Sequence, residues 1–396
     1  MRNGNRWFYL LIGMVGLLFA GVIYAWSILK TPLADTFGWS ASALAMNFTL
    51  TMCCFCLGGI LASVLRRRLS VRAVLLLSAV MSGAGFLLTS RLSGGSIAPL
   101  YVSYGVLSGL GIGMAYTVVL SAVNPWFPDK KGLCAGALMM SFGISSLLLG
   151  QFASWMIGSG PDGWRTAFVV LAAGIAAALV LCAAFLRVPG RSAAPAQTGK
   201  SPAGRDYTSG EMLRRSSFWR FFLYCILVAS VGNTLISFAR DLALSMGMTA
   251  ALAATMVGVL SVCNGLGRIL CGLVYDGLGQ RKAMLMANAM AILGPALILG
   301  ALALDAYPLG IAGMCVAGLS YGCCPTISAA FVSNFYGMKH YASNYSLSNT
   351  MLIPASFVAT LASVLLSASH SYTLPFVMLL VFAAVGLLLN LSLRRP

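Results

Sequence analysis

Twelve long apolar runs dominate this chain of 396 residues. A helix of about 20 apolar residues spans a bilayer, and its backbone groups bond within the segment. The composition agrees with a membrane protein, since 8% of the residues are charged and a soluble domain carries about 25%. We predict an all-α membrane protein with 12 transmembrane helices, at residues 7–29, 41–65, 73–90, 97–123, 132–157, 164–186, 218–238, 249–275, 283–304, 308–335, 341–367 and 372–393.

The basic residues are distributed unevenly between the two sides of these spans. The net charge of +17 comes from short loops rather than from a basic domain, which argues against nucleic acid as a partner. With the N-terminus inside, 20 of the 25 Lys and Arg residues lie in the cytoplasm and 4, Lys30 among them, lie outside. Cytoplasmic loops are enriched in these residues. We therefore predict a monomeric multi-pass protein of the inner (plasma) membrane, in contact with lipid, with both termini cytoplasmic.

The longest loop, residues 188–217, is rich in Pro, Ala, Gly, Ser and Arg and predicts a flexible cytoplasmic linker. It divides the chain into an N-terminal six-helix half, 1–187, and a C-terminal six-helix half, 218–396. The halves repeat weakly at an offset of 209 residues, which places residues 123–131 on 332–340. Parallel repeats of six helices are typical of one large class of secondary transporters.

Arg268 is the charged residue that the sequence places inside a span. A cation at that depth costs several kcal/mol unless it faces a polar cavity or a partner. The eight acidic residues all fall in loops or at span ends, so we predict that Arg268 binds an anionic substrate. Gly59 stands at the equivalent position of the first half. Asn264, four residues before Arg268 on the same helix face, either orients the guanidinium or contacts substrate.

Three motifs resemble the oxalate/formate antiporter family, which belongs to the monocarboxylate-carrying branch of the major facilitators. They are Gly-Val-Ile-Tyr-Ala-Trp-Ser at 21–27, Trp-Phe-Pro-Asp-Lys-Lys-Gly at 126–132, and Asn-Gly-Leu-Gly-Arg at 264–268. The resemblance covers essentially the whole chain in its layout. It implies the major facilitator fold, small carboxylate substrates and a carboxylate-binding arginine at position 268.

The eleventh span departs from that family. In the eleventh span, oxalate-carrying members of the family have a segment that resembles N-Y-G-x-x-Y-T-x-K. This chain has Leu352 in the place of the lysine and Asn349 in the place of the second tyrosine. We include Asn349 among the candidate substrate contacts. A dianion that faced one arginine would keep an uncompensated negative charge in a low dielectric. The segment therefore favours a monocarboxylate over oxalate.

Four aromatic residues are further candidates for the substrate cavity: Tyr24, Trp26, Tyr116 and Tyr321. They fall in spans 1, 4 and 10, which line the cavity in the major facilitator plan. A phenol or an indole offers one hydrogen-bond donor on an apolar ring, which suits a small organic acid. The alternative for each is packing or a place in the interfacial aromatic belt.

The loop after span 8, residues 272–282, resembles the major facilitator signature G-x-x-x-D-R-x-G-R-[RK], with Gly277 in place of its first arginine. The resemblance implies that Asp276 and Arg281 form a charge-assisted latch on the cytoplasmic side. The alternative is an ordinary helix end followed by basic residues.

The 11 cysteines and two histidines form no metal-ligand or disulfide pattern, and no catalytic set falls inside the membrane. We predict no metal, no cofactor and no enzymatic activity. The function that these observations favour is secondary transport of a small organic anion, by anion exchange or linked to protons. An efflux pump for other small molecules and a sensor that does not transport are the alternatives.

Overall fold

The computed structural model describes residues 4–66, 68–127, 131–188, 206–337 and 340–393. In these ranges the regular structure is helical throughout. Twelve helices are long and apolar enough to cross a membrane, which confirms the predicted fold class. We number them α1 to α12: Arg6–Phe37, Ala41–Leu65, Val71–Ser90, Ala98–Trp126, Gly136–Ile157, Gly163–Phe185, Ser216–Ser245, Ala250–Tyr275, Gln280–Leu304, Tyr307–Tyr336, Ser343–Ser369 and Thr373–Ser392.

Two of the helices extend about two turns beyond their predicted ends. α1 continues past residue 29 to Phe37, and α7 continues past residue 238 to Ser245. Charged residues lower the hydropathy of these last turns, but a helix needs no apolar side chains to continue. α1 ends where Gly38 takes a left-handed conformation with φ of 68° and caps the helix. The predicted ends were therefore wrong by about two turns.

α11 is broken rather than continuous. The helix that enters this span is Tyr341–Asn349, the helix that completes it is Leu352–Ser369, and a turn at Thr350 and Met351 separates the two pieces. Pro354 accounts for the break, because proline has no N–H and its ring clashes with the carbonyl four residues earlier, that of Thr350. The break lies between the two residues that differ from the oxalate-carrying pattern, Asn349 and Leu352.

The chain forms two compact units, Met1–Ala196 and Gln197–Pro396. In the first unit, α2 and α4 pack with their backbones in contact. A Cβ atom on Gly58 would lie 3.0 Å from the carbonyl carbon of Leu110, and one on Gly113 would lie 2.7 Å from that of Phe55. Only glycine fits at both places without separation of the helices.

The second unit repeats this contact between α8 and α10. A Cβ atom on Gly267 would lie 2.8 Å from the carbonyl carbon of Leu319, and one on Gly322 would lie 2.9 Å from that of Asn264. All four residues are 209 positions after their counterparts in the first unit. The weak sequence repeat therefore corresponds to the same helix packing in each unit.

Candidate functional site

Arg268 lies on the buried face of α8. Its side chain is 7% exposed, whereas those of Leu266 and Ile269 beside it are 43% and 42% exposed. Ser261 and Asn264, each 1% exposed, share the face of Arg268 at helical spacing. The helix thus presents apolar side chains outwards and one polar stripe inwards, as expected for a charged residue with a function inside the bilayer.

The contact with α10 fixes the backbone of α8 at Arg268. The Thr326 hydroxyl donates a hydrogen bond to the carbonyl oxygen of Arg268 at 3.3 Å. A Cβ atom on Gly322 would lie 3.1 Å from the Arg268 nitrogen. The position of the guanidinium therefore depends on how closely α10 approaches.

The Asn264 side chain is buried, yet neither its amide nitrogen nor its amide oxygen has a hydrogen-bond partner within the described part of the chain. Of the two predicted roles, orientation of the guanidinium is not supported, because the amide makes no hydrogen bond to Arg268. A buried polar group without a partner costs about 1–3 kcal/mol. A ligand that hydrogen-bonds to this amide would remove that cost.

Tyr321 lies in a buried hydrogen-bond network that joins α10, α7 and α11. Its hydroxyl donates to the Asn233 side-chain oxygen at 2.7 Å, and the Asn233 amide donates to the Ser356 hydroxyl at 3.4 Å. Gly232 leaves room for the ring, since a Cβ atom there would lie 2.6 Å from Cδ2 of Tyr321. The phenolic hydrogen bond that we predicted for a substrate is therefore made to Asn233.

Asn233 was missed by the sequence analysis, although one signal pointed to it. It stands 209 residues after Tyr24, the equivalent position on the first helix of the first half. It is fully buried in α7. A search of the repeat for positions that are polar in both halves would have found it.

The broken helix α11 is linked to the same network. The Ser356 hydroxyl donates to the carbonyl oxygen of Leu352 at 2.6 Å. Leu352 is 7% exposed, so an apolar side chain is buried where the family pattern has a lysine. Asn349 is half-buried at the end of the first piece. Both residues thus flank the turn at Thr350, and the structure leaves the predicted role of Asn349 untested.

Tyr24 and Tyr116, predicted from separate spans, meet at one aromatic cluster in the first unit. Phe142 packs edge-on against both rings, with centroids 5.2 Å away in each case. Phe55 adds a contact of 5.4 Å to Tyr116. Tyr24 is buried and Tyr116 half-buried. The sequence analysis missed both phenylalanines, although Phe55 is the counterpart of Asn264 at the repeat offset.

Trp26 is fully buried, and its indole N–H donates to the carbonyl oxygen of Leu44 at 3.1 Å. Its ring packs on Tyr104 with centroids 4.6 Å apart. The donor that suggested a substrate contact is therefore used within the unit. These contacts correspond to the packing alternative, and we leave Trp26 out of the proposed site.

Lys30 corrects one of the charge assignments. We predicted it just beyond the first span on the outer side, but it lies inside α1 and is 5% exposed. Its side of the membrane stays a prediction. Among the described residues, Lys30 and Arg268 are the charged side chains in the buried set, one in each unit. The hydropathy pattern did not place Lys30 in the span, because Lys30 lies in the last turns of α1, beyond the predicted end of the span.

The predicted latch lies partly outside the described residues. The side chain of Asp276 belongs to the part of the chain that is not described, and Arg281 is exposed near the start of α9. The ion pair between them stays a prediction.

A twelve-helix membrane fold built from two repeated units, with a buried arginine on a polar helix face, defines a class of secondary transporter. The family model described as Major Facilitator Superfamily matches residues 9–360. The chain therefore belongs to the Major Facilitator Superfamily and is a multi-pass membrane transporter, not an enzyme. The predicted family and the prediction of a transporter rather than an enzyme are therefore confirmed.

Similar proteins agree with this assignment. The chain is 28% identical to the uncharacterized MFS-type transporter YhjX of Escherichia coli (strain K12), over 87% of this chain and 84% of that protein. It is 27% identical to the oxalate:formate antiporter of Oxalobacter formigenes, over 86% and 80%. Monocarboxylate transporter 13 of Bos taurus is 24% identical, over 83% and 75%. Among solved structures, a D-xylose-proton symporter superposes with a TM-score of 0.75 at 16% identity, over 97% and 96%.

Proposed function

We propose that this chain is a secondary transporter that carries a small monocarboxylate by alternating access. The observation that carries the proposal is the polar face of α8, where Arg268 and Asn264 are both buried. Arginine presents a planar fork of donors that matches a carboxylate in a bidentate fashion. The amide of Asn264, one turn away, has no hydrogen-bond partner among the described residues and offers a donor and an acceptor to the rest of the substrate.

We infer the charge of the substrate from the eleventh span. Leu352, where the family pattern has a lysine, is buried and apolar, so a dicarboxylate would gain no second cation there. A monocarboxylate is neutralised by Arg268 alone, and neutralisation avoids the cost of a buried unpaired charge. The printed names of two relatives, an oxalate:formate antiporter and a monocarboxylate transporter, support carboxylates as the substrate class.

We further propose anion exchange in the inner membrane, with both termini cytoplasmic. The distribution of Lys and Arg supports the orientation. The eight acidic residues lie in loops or near span ends, so no carboxylate is available as a proton carrier deep in a span. Exchange of one anion for another requires no such carrier. If a proton moves at all, it is carried by the substrate itself.

The test is uptake into proteoliposomes with a panel of formate, lactate, pyruvate and oxalate. We expect saturable uptake of at least one monocarboxylate, abolished by Arg268→Gln. Arg214→Gln is the matched control, because it removes the same charge from an exposed position in the same unit. Loss of uptake in both variants, or in neither, would refute the assignment of Arg268.

Two further measurements test the exchange mechanism and the preference for monocarboxylates over oxalate. Uptake that requires an internal counter-anion and ignores a pH gradient supports exchange; uptake driven by the gradient into empty vesicles refutes it. Oxalate uptake equal to that of the monocarboxylates refutes the single-charge argument.

A further inference from the structure

Two pairs of cysteines face each other across the contact between α8 and α10. The thiols of Cys263 and Cys315 are close enough to interact with one another, and so are those of Cys271 and Cys323. The two cysteines on each helix are eight residues apart, so the pairs form two matched rungs between helices that run in the same direction. The rungs stand on either side of Arg268.

The backbone contact between the helices brings these side chains close together. A Cβ atom on Gly318 would lie 3.0 Å from Cβ of Cys263, and Gly318 is one turn after Cys315. Gly267, midway between the rungs, leaves no room for a Cβ atom beside Leu319. A disulfide needs two Cβ atoms about 3.5–4.5 Å apart. The close approach of the two backbones at Gly318 supports a separation of this order for the rung formed by Cys263 and Cys315.

The two rungs differ in their access to reagents. Cys263 and Cys315 are partly exposed, whereas Cys271 and Cys323 are buried. The buried thiols also donate to backbone oxygens: Cys271 to that of Cys323 at 3.8 Å, and Cys323 to that of Leu319 at 3.4 Å. Cysteine reactivity requires access as well as a thiolate. The rung nearer the start of α8 is therefore the reactive one.

We propose that Cys263 and Cys315 form an oxidant-sensitive dithiol site that closes to a disulfide and ties α8 to α10 beside Arg268. With a peroxide, one thiol attacks the O–O bond and becomes a sulfenic acid, and the peroxide leaves as water or an alcohol. The second thiol attacks that sulfur, the S–S bond forms, and a molecule of water is released. The two thiols lose two electrons and the peroxide gains them.

The disulfide has a consequence for transport that rests on the proposed function. Arg268 follows Cys263 by five residues, about 7.5 Å along the helix. A covalent link at this point holds α8 against α10 in a single arrangement. If the helix that carries the arginine has to move during the transport cycle, oxidation stops transport and a reducing agent restores it.

The experiment is oxidation of the full-length protein in membranes with hydrogen peroxide, followed by alkylation of free thiols and peptide mapping by mass spectrometry. We expect a linked peptide pair that contains Cys263 and Cys315 and is lost on reduction. Cys315→Ser should abolish the link. Cys323→Ser, which changes the buried rung, should leave it intact. The partly exposed Cys53, on α2, reports that the oxidant has reached the protein.

Modification of Cys53 without any link between Cys263 and Cys315 would overturn the proposal, and so would a link that joins Cys263 to a different cysteine. Peroxide inhibition of uptake, reversed by dithiothreitol and absent in Cys315→Ser, supports the effect on transport; a link that leaves uptake unchanged refutes that effect. The mapping needs no substrate and can be done on Arg268→Gln, so its outcome is independent of whether the chain carries a carboxylate.

Discussion

Replacement of Gly322 by alanine tests whether the contact between α8 and α10 positions the arginine. The added Cβ atom would lie 2.9 Å from the carbonyl carbon of Asn264 and 3.1 Å from the nitrogen of Arg268. Both are backbone atoms of α8, so no side chain can rotate away to relieve the contact. The two helices must separate at the residues that form the proposed site.

The size of the effect follows from these distances. Ordinary contact begins at 3.4 Å, so the helices must move apart by at least 0.5 Å at the Asn264 carbonyl carbon. Overpacking of this kind costs about 1–3 kcal/mol. Alanine also gains about 1 kcal/mol in helix propensity over glycine, which offsets part of the cost. Small displacements of binding groups can reduce rates by about a hundredfold, so we expect transport to suffer more than stability.

The assay is monocarboxylate uptake together with thermal unfolding of the purified protein. Gly272→Ala is the matched control, because Gly272 lies on α8, the partner helix of α10, and an added Cβ atom there would meet nothing nearer than Thr326 Cγ2 at 4.0 Å. We expect Gly272→Ala to keep full uptake and an equal or higher unfolding temperature. Gly322→Ala should lose at least about tenfold in uptake, a loss equivalent to about 1.4 kcal/mol. If the two variants behave alike, the contact does not position the arginine.

Three other changes probe the same unit. Arg268→Lys keeps the charge but loses the bidentate fork, so uptake should persist at a reduced rate with a raised KM; full activity would exclude bidentate binding. Leu352→Lys should shift preference towards oxalate in a competition assay, and an unchanged preference would refute the single-charge argument. Asn233→Ala removes the acceptor of the Tyr321 hydroxyl at 2.7 Å and should lower stability by about 1–3 kcal/mol. The combination with Tyr321→Phe should cost less than the sum of the two changes, and full additivity would show that the bond contributes nothing.

The predicted fold class was confirmed because it depends on local properties of the chain. Hydropathy over about 20 residues identifies a membrane span without knowledge of its neighbours. The ends of α1 and α7 were placed too early, since a helix stops where its backbone is capped, as at Gly38, and not where its side chains become polar. The repeat at an offset of 209 residues could also be read from the sequence alone. The glycine contacts of the two units are related by the same offset.

The candidate site was harder to predict, because a hydrogen-bond partner is a property of distant segments. Trp26 and Tyr321 were chosen for their hydrogen-bond donors. In the structure the Trp26 indole donates to Leu44, 18 residues away, and the Tyr321 hydroxyl donates to Asn233, 88 residues away. Lys30 was placed beyond the first span from hydropathy alone and is buried in a helix. None of these contacts leaves a signal in the composition of the surrounding sequence.

By itself the sequence determined twelve spans, two repeated halves and a cation in an apolar run, because each follows from the cost of placing polar groups in a bilayer. The tertiary structure decided which polar groups are used within the protein. It pairs Tyr321 with Asn233 and leaves the amide of Asn264 without a partner in the described part of the chain. The physical reason is that burial sets the cost of a polar group, whereas packing between distant helices decides whether a partner offsets that cost.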